Sequence, residues 1–450
     1  MPSDTLSSRF ARFVNQLTYE DLSKKQVYQI KTFFLDWLAS AYAGQTQPPV
    51  KSMLEVVRSL GGKPESTIIP DSSKTMSLLA ALANGASSHM VEMDDLHRES
   101  VLHPAAAIMP AVFALAERKR ASGPDLIVAI LAGYEVGIRV AMAAGQSHYR
   151  FWHTTATCGT FGAAAGAAKI LGLDEEQFVW TLGSAGTQAA GLWEFLVEGA
   201  MSKQLHPAKA ALNGVLSALL AQKGFTGARR ILEGKKGFFR ATSRDFDEEK
   251  CVAGLGREFM FERNSLKYHA SCGHTHSAID AVLDAVKGNR VTGHEVERVD
   301  LFIYQAALDL LGDVDPITPY AAKFNLPFCV ATALRYGHVG MEDFTEKRLE
   351  DREILRLMQR INLQSDPDLN QSYPRKWPAR VEIVMRDGRH LKGACDYPKG
   401  DPENPLAEAE LFGKFRRLTG GLLSRSASEI IIERSMNLEK VSDVGLLLDF

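Results

Sequence analysis

The sequence predicts a mainly α protein in two domains: a large all-helical domain formed by both chain ends, and a smaller α+β domain between them. Three observations predict it. The chain has 450 residues, more than one hydrophobic core usually supports. Apolar residues recur at helical spacing through the first two-thirds, with short loops marked by Gly and Pro. Alternating stretches then start near residue 295, and a helical tail follows from about Pro405. On this reading residues 1–267 and 401–450 make the helical domain, and residues 268–400 make the α+β insertion.

The elements follow in order. Leu22, Val27, Ile30, Phe33, Phe34, Trp37 and Leu38 form a helical stripe between Tyr19 and Tyr42, with Gly44 as the expected C-cap. Further helices are expected over 77–91, 105–120, 124–144, 155–171, 175–190 and 208–223, with no strand before about residue 295. In the insertion, "VERVDLFIY" alternates as a strand does. "ARVEIVMRDGRHLKGACDY" gives two alternating runs around Asp387-Gly388, a hairpin signal. Helices over 327–336 and 342–364 are expected between them. Small residues (Gly159, Gly162, Ala163, Ala165, Gly166, Ala168) cover most faces of the 155–171 helix. Glycine costs about 1 kcal/mol there relative to alanine, so such a run points to close helix–helix approach, with a ligand cradle as the weaker reading. The run "TLGSAGTQAAGLWEF" has the same character and is expected to pack against it.

Composition narrows the function. A 45% hydrophobic and 24% charged chain of net charge −2 is an ordinary globular protein, without the basic excess of a nucleic-acid binder. The most apolar stretch, "LIVAILAGYEVGIRVAMAAG", is interrupted by Glu135 and Arg139 and reads as a buried helix rather than a membrane span. The N-terminus shows no secretory h-region. Five scattered cysteines (Cys158, Cys251, Cys272, Cys329, Cys395) with no CxxC pair suit a reducing compartment, so a cytoplasmic location is expected.

Three clusters gather ionisable groups. In "HMVEMDDLHRESVLHPAA", His89, Glu92, Asp94, Asp95, His97 and His103 fall at a helix end and the loop beyond. One histidine there would be unremarkable; six such groups before an apolar helix make a site. In "FWHTTATCGTFG", His153 precedes the small-residue helix. It reads either as a satisfied core histidine or as an imidazole tuned by apolar walls and a helix N-terminus. In "NSLKYHASCGHTHSAIDAV", Lys267, His269, Cys272, His274 and His276 precede a helix capped near Thr275 or Ser277, whose N-terminal amides favour an anion. With Lys203 in "EGAMSKQLHPAKAAL", these cations suit a substrate bearing more than one carboxylate.

His269-x-x-Cys272 and His274-x-His276 contain zinc-ligand residue types, but no second cysteine pair completes a structural site, and no metal is expected. A Cys272 nucleophile is weaker still. No glycine-rich nucleotide fingerprint occurs in a strand–turn–helix setting, so neither hydride nor phosphoryl transfer has support.

At these clusters the sequence resembles the MmgE/PrpD family, which includes 2-methylcitrate dehydratase, cis-aconitate decarboxylase and iminodisuccinate epimerase. The pieces that carry the resemblance are "NGASSHMVEMDD", "LHPAAAIMPAVFALAE", "GTFGAAAGAAKILGL", "SKQLHPAKAALNG" and "KYHASCGHTHSAIDAV", in that order along nearly the whole chain. The resemblance implies a helical domain built from both ends, an α+β lid, a homodimer, a site in the cleft between the domains, and no metal or organic cofactor. It places site positions at Glu92, Leu96, His103, His153, Lys203, Lys267 and Cys272. Three of these depart from the decarboxylase pattern: Glu92 stands for an aspartate, Leu96 for a threonine and Cys272 for a histidine.

The expected chemistry is proton transfer next to a carboxylate of a small di- or tricarboxylic acid. Lys203 and Lys267 would bind carboxylate, and His103 and His153 would act as acid and base. Asp94 and Asp95 would orient a histidine or order the loop. Glu92, Asp95, His97, His269, Cys272, His274 and His276 are the further substrate-binding candidates. A 2-methylcitrate dehydratase-like hydro-lyase is the first expectation. The alternatives are an epimerase of an amino- or imino-dicarboxylate, a decarboxylase of a cis-aconitate-like acid, and a non-catalytic carboxylate binder.

Overall fold

The computed structural model describes residues 4–287, 291 and 293–449. Helix makes up 59% of the chain and strand 9%, which is the mainly α architecture the sequence predicts. The chain divides into two compact units. One comprises residues 1–90, 94–264 and 407–450; the other comprises residues 91–93 and 265–406.

The larger unit is a stack of helices whose central members are buried on every side. The Thr154–Leu171 helix lies against Gly123–Tyr149, Pro104–Lys119 and Leu205–Gln222. Its small residues explain how so many neighbours fit. A methyl group at Gly162 would sit 2.8 Å from both the Gly133 carbonyl and Ile108. Protein atoms fill these gaps, so the run serves packing. The second small-residue run packs beside the first: Gly186, closing the Glu175–Gly186 helix, lies against the Phe161 ring. The apolar Gly123–Tyr149 helix is long enough to cross a bilayer, yet 94% of its most apolar window is buried within the protein. It breaks at Gly145, whose φ is 75°. Glu135 and Arg139 pair at 3.0 Å inside it, and Arg139 also donates to the Ala253 and Glu258 carbonyls. The C-terminal tail closes on the same unit. Lys414, in the Glu408–Thr419 helix, meets Asp36 at 2.5 Å, and each side chain is only 1% exposed.

Two local expectations fail here. Gly44 is not a left-handed cap but the last residue of the Lys24–Gly44 helix. Its glycine is required because a Cβ would lie 2.1 Å from the Ser87 carbonyl oxygen of the neighbouring helix. Strands also exist before residue 295: Ser66–Ile68 pairs with Ser73–Thr75, and Leu96–His97 forms another short element. Runs of two or three residues are too short for alternation to register.

In the smaller unit a four-stranded sheet has the order Ile361–Ser365, Val296–Ile303, Ala379–Met385, His390–Cys395. The first pairing is parallel and the other two are antiparallel. Val296, Val299, Leu301 and Ile303 are buried, and the His276–Ala285 helix presses so closely on the sheet that a Cβ at Gly393 would lie 2.1 Å from the Ala281 carbonyl oxygen. The Asp387-Gly388 turn is as the sequence implies: the Gly388 N–H donates to the Met385 carbonyl, and φ at Gly388 is 85°. The expected 342–364 helix is wrong. Short helices Glu346–Leu349 and Arg352–Met358 give way to the strand Ile361–Ser365, which has a parallel partner that no local pattern reveals.

Candidate functional site

The larger unit gathers imidazoles at the starts of three helices. His103 is the residue before the Pro104–Lys119 helix, His153 precedes Thr154–Leu171, and His206 lies in the first turn of Leu205–Gln222. His89 joins them from the end of the Ser77–Met90 helix. Ring centroids run 4.9 Å from His103 to His89, 5.7 Å from His89 to His153, and 5.3 Å from His153 to His206. Three helices therefore start beside this cluster, and the positive end of a helix dipole favours a carboxylate.

Asp94 ties the first two rings together. Its Oδ2 lies 2.8 Å from His89 Nδ1 and 3.2 Å from His103 Nδ1. Burial by itself would raise this carboxyl, but the two imidazoles overcome that and hold it well below the ordinary range. His103 Nδ1 is closer still, at 2.7 Å, to the backbone carbonyl of Asp95. A carbonyl oxygen only accepts, so His103 carries its proton on Nδ1 and presents Nε2 as the working nitrogen.

Asp95 serves the scaffold. It accepts from Ala105 N–H at 2.9 Å, from Tyr134 O–H at 2.6 Å and from Asn264 at 2.5 Å. Burial pushes its carboxyl up to about 8 against the pull of the Tyr134 and Ala105 bonds. His97 is folded into its own loop, with Nδ1 2.9 Å from Ser100 Oγ, and burial lowers it to about 3. Leu96 is buried at 4% exposure.

His153 and His206 meet Nδ1 to Nδ1 at 3.0 Å. Trp193 covers His153 at 4.7 Å, and Phe195 stands edge-on to His206 at 5.3 Å. Burial lowers His206 to about 4 and His153 further, and the buried Lys203 ammonium acts on both rings in the same direction. This has a measurable consequence. In the unfolded chain an imidazole takes up its proton near pH 6.5, whereas folded His206 does so only near pH 4. Its contribution to stability is complete above pH 6.5. It is then lost on acidification at about 1.4 kcal/mol per pH unit down to about pH 4. Urea melts of His206→Phe should lack that increment of slope; equal slopes in variant and wild type would show that His206 is not held neutral.

The smaller unit holds a second polar group. Lys267 pairs with Glu92 at 3.1 Å, both side chains 2% exposed, and Tyr320 O–H donates to the other Glu92 oxygen at 3.2 Å. Glu92 adopts φ 57°, unusual for a residue with a side chain. Lys323 fixes the same segment by donating to the Val91 and Ala270 carbonyls. The histidines of this unit have local duties. His269 Nε2 lies 2.8 Å from Asp280, His274 is 2.6 Å from Tyr304 O–H and stacks on Trp377 at 3.9 Å, and His276 faces the Ser271 carbonyl. Cys272 is buried, and its N–H donates to the Lys323 carbonyl. Thr275 is the N-cap residue, one of the two positions expected, but its side chain makes no capping bond. A turn of 3-10 helix over Gly273–Thr275 leads into the helix instead, and Thr275 Oγ1 donates to the Cys272 carbonyl.

Of the residues singled out from sequence, Asp94, His103, His153 and Lys203 thus come together in the larger unit, and Glu92 with Lys267 in the smaller. His206, Trp193, Tyr320 and Lys323 were not put forward as site residues, and His89 was named only as a member of the first cluster, with no role of its own. A signal for His206 was present, because the tetrapeptide Leu-His-Pro-Ala occurs twice, at 102–105 and 205–208, each time opening a helix.

Among the described residues, two groups have metal-ligand spacing: His89, Asp94 and His103, and the more exposed His338, Glu342 and Asp343. In the first, the His103 nitrogen that faces Asp94 is Nδ1, which already donates to the Asp95 carbonyl.

Sequence models of the MmgE/PrpD N-terminal domain and the MmgE/PrpD C-terminal domain match residues 8–250 and 269–439. The chain belongs to the MmgE/PrpD family. It is 28% identical to a cis-aconitate decarboxylase of Aspergillus terreus, over 99% of this chain and 95% of that one. It is 26% identical to the cis-aconitate decarboxylase-like protein oryM of Aspergillus oryzae, over 99% and 97%. Identity to the human cis-aconitate decarboxylase is 24%, over 98% and 94%.

Proposed function

We propose that this protein is a lyase that removes carbon dioxide from a small unsaturated tricarboxylic acid of the cis-aconitate kind, with protein side chains as acid and base. The carrying observation is the buried Asp94 carboxylate at His103 Nδ1, which leaves Nε2 to exchange a proton with carbon. When carbon dioxide departs, its bonding electrons pass into the carbon skeleton, and a proton must arrive at the carbon that receives them. An imidazolium backed by a carboxylate supplies it. Lys203 and the helix N-termini suit the remaining carboxylates. The names of the relatives favour loss of carbon dioxide over the hydro-lyase reaction expected first.

Loss of water or epimerisation is the second reading. The apolar Leu96 and the thiol of Cys272, where the decarboxylase pattern has a hydroxyl and an imidazole, favour it. Incubation in heavy water with cis-aconitate, citrate, 2-methylcitrate and amino-dicarboxylates separates the cases. Carbon dioxide release with one deuterium fixed on carbon is the expected result. Water release indicates a dehydratase, and deuterium uptake without net conversion an epimerase. Binding with neither turnover nor exchange would overturn the enzyme reading.

A further inference from the structure

We propose that His206 is a positioning residue that sets the tautomer of His153, and so decides whether His153 Nε2 donates or accepts a proton. The proposal rests on the reading of His153 as an acid or base for the substrate.

The argument starts from the 3.0 Å separation of the two Nδ1 atoms. Two lone pairs facing each other at that distance repel, and two N–H groups clash; the contact is attractive only when the nitrogens share one proton. Neither ring has room to turn away. His206 is anchored in the first helical turn beside Pro207, with Phe195 edge-on to it. His153 is held by Trp193 on one side and His89 on another, and its backbone N–H donates to the Gly191 carbonyl at 3.0 Å. Gly191 also lies against the partner ring, where a Cβ would come within 3.3 Å of His206 Nδ1. The charged and titratable groups acting on the pair are Lys203 and Lys209 from the His206 side, with His89 and His103 from the other. These basic groups disfavour a second proton on the two rings, and the Asp94 carboxylate behind His89 and His103 works against them.

The proton between the rings has two places, and each neutral arrangement fixes the outer nitrogens as well. With it on His206 Nδ1, His206 Nε2 is bare and His153 carries its own proton on Nε2, a donor. With it on His153 Nδ1, His206 carries its own proton on Nε2 and His153 Nε2 keeps a lone pair, an acceptor; passage between the two exchanges the Nε2 protons with substrate or solvent. A proton taken up at His153 Nε2 makes that ring cationic; passing the Nδ1 proton to His206 returns His153 to neutrality and moves the charge one ring further from His89. No proton is gained or lost in the transfer, and the pair acts as a one-proton relay.

The test uses the full chain labelled with 15N-histidine, without substrate. In the wild type, long-range proton–nitrogen spectra should show one of the two Nδ1 atoms protonated and the other not. In His206→Phe the tautomer ratio of His153 should change, and in His206→Asn, whose amide can occupy the Nδ1 position, it should return toward the wild type. Two unprotonated Nδ1 atoms in the wild type would overturn the proposal, and this reading needs no variant to fold. Unchanged His153 resonances in a folded His206→Phe would overturn it too. In turnover, His206→Phe should lower kcat about 10²-fold and displace one limb of the pH profile, with KM within about twofold and partial recovery in His206→Asn. An unmoved pH profile would reduce His206 to a packing residue. If the spectra respond as expected but no polycarboxylate is turned over by the wild type, the proposed function falls and the His206–His153 coupling stands.

Discussion

Replacing His103 with glutamine is expected to lower kcat by about two to four orders of magnitude, the usual contribution of a positioned acid or base. Glutamine can still donate to the Asp95 carbonyl and the Asp94 carboxylate, so the loop keeps its bonds, but it offers no titrating nitrogen in place of Nε2. The fold has little at stake, because the side chain is 12% exposed and the helix behind it starts at Pro104, which needs no amide partner. Turnover of cis-aconitate with circular dichroism as a folding control decides the matter. Near-wild-type kcat in a folded variant would remove His103 from the chemistry. Lys203→Ala should act differently, raising KM more than it lowers kcat, as loss of a carboxylate anchor does.

The second large effect concerns stability. Lys414→Met leaves the Asp36 carboxylate buried without its ammonium partner and is expected to cost about 3–5 kcal/mol. The double variant Asp36→Leu, Lys414→Met should recover most of that loss, since an apolar pair of similar volume carries no desolvation penalty. Urea unfolding followed by helical circular dichroism gives both numbers. A loss below about 1 kcal/mol in the single variant would mean that water reaches Asp36.

What the sequence made legible follows the range of the forces involved. Helices such as Ser77–Met90 and Thr154–Leu171 announce themselves because each is one unbroken run of small and apolar residues bounded by turn or charged residues. The Asp387-Gly388 hairpin does so because a left-handed glycine and its flanking strands are neighbours in the chain. The strand Ile361–Ser365 was missed because its partner, Val296–Ile303, lies about sixty residues away and pairs in parallel. Gly44 was misassigned for a similar reason, since the Ser87 carbonyl that excludes its side chain belongs to another helix. In the site, His103 and Asp94 stood out because ionisable residues crowd one loop. His206 did not, because its partner His153 is 53 residues away and neither lies in the loop where the other groups crowd.

The short stretch 91–93 carries a lesson for anyone wishing to cut the molecule into parts. It groups with residues 265–406, while the chain on either side of it belongs to the helical unit. A fragment starting at Ser265 would therefore lose Glu92 and the Val91 carbonyl. Lys267 would lose the carboxylate that pairs with its interior ammonium group, and Lys323 would keep the Ala270 carbonyl but lose that of Val91. The smaller unit is discontinuous in the gene even though it is contiguous in space, and any minimal version of it has to graft that tripeptide back.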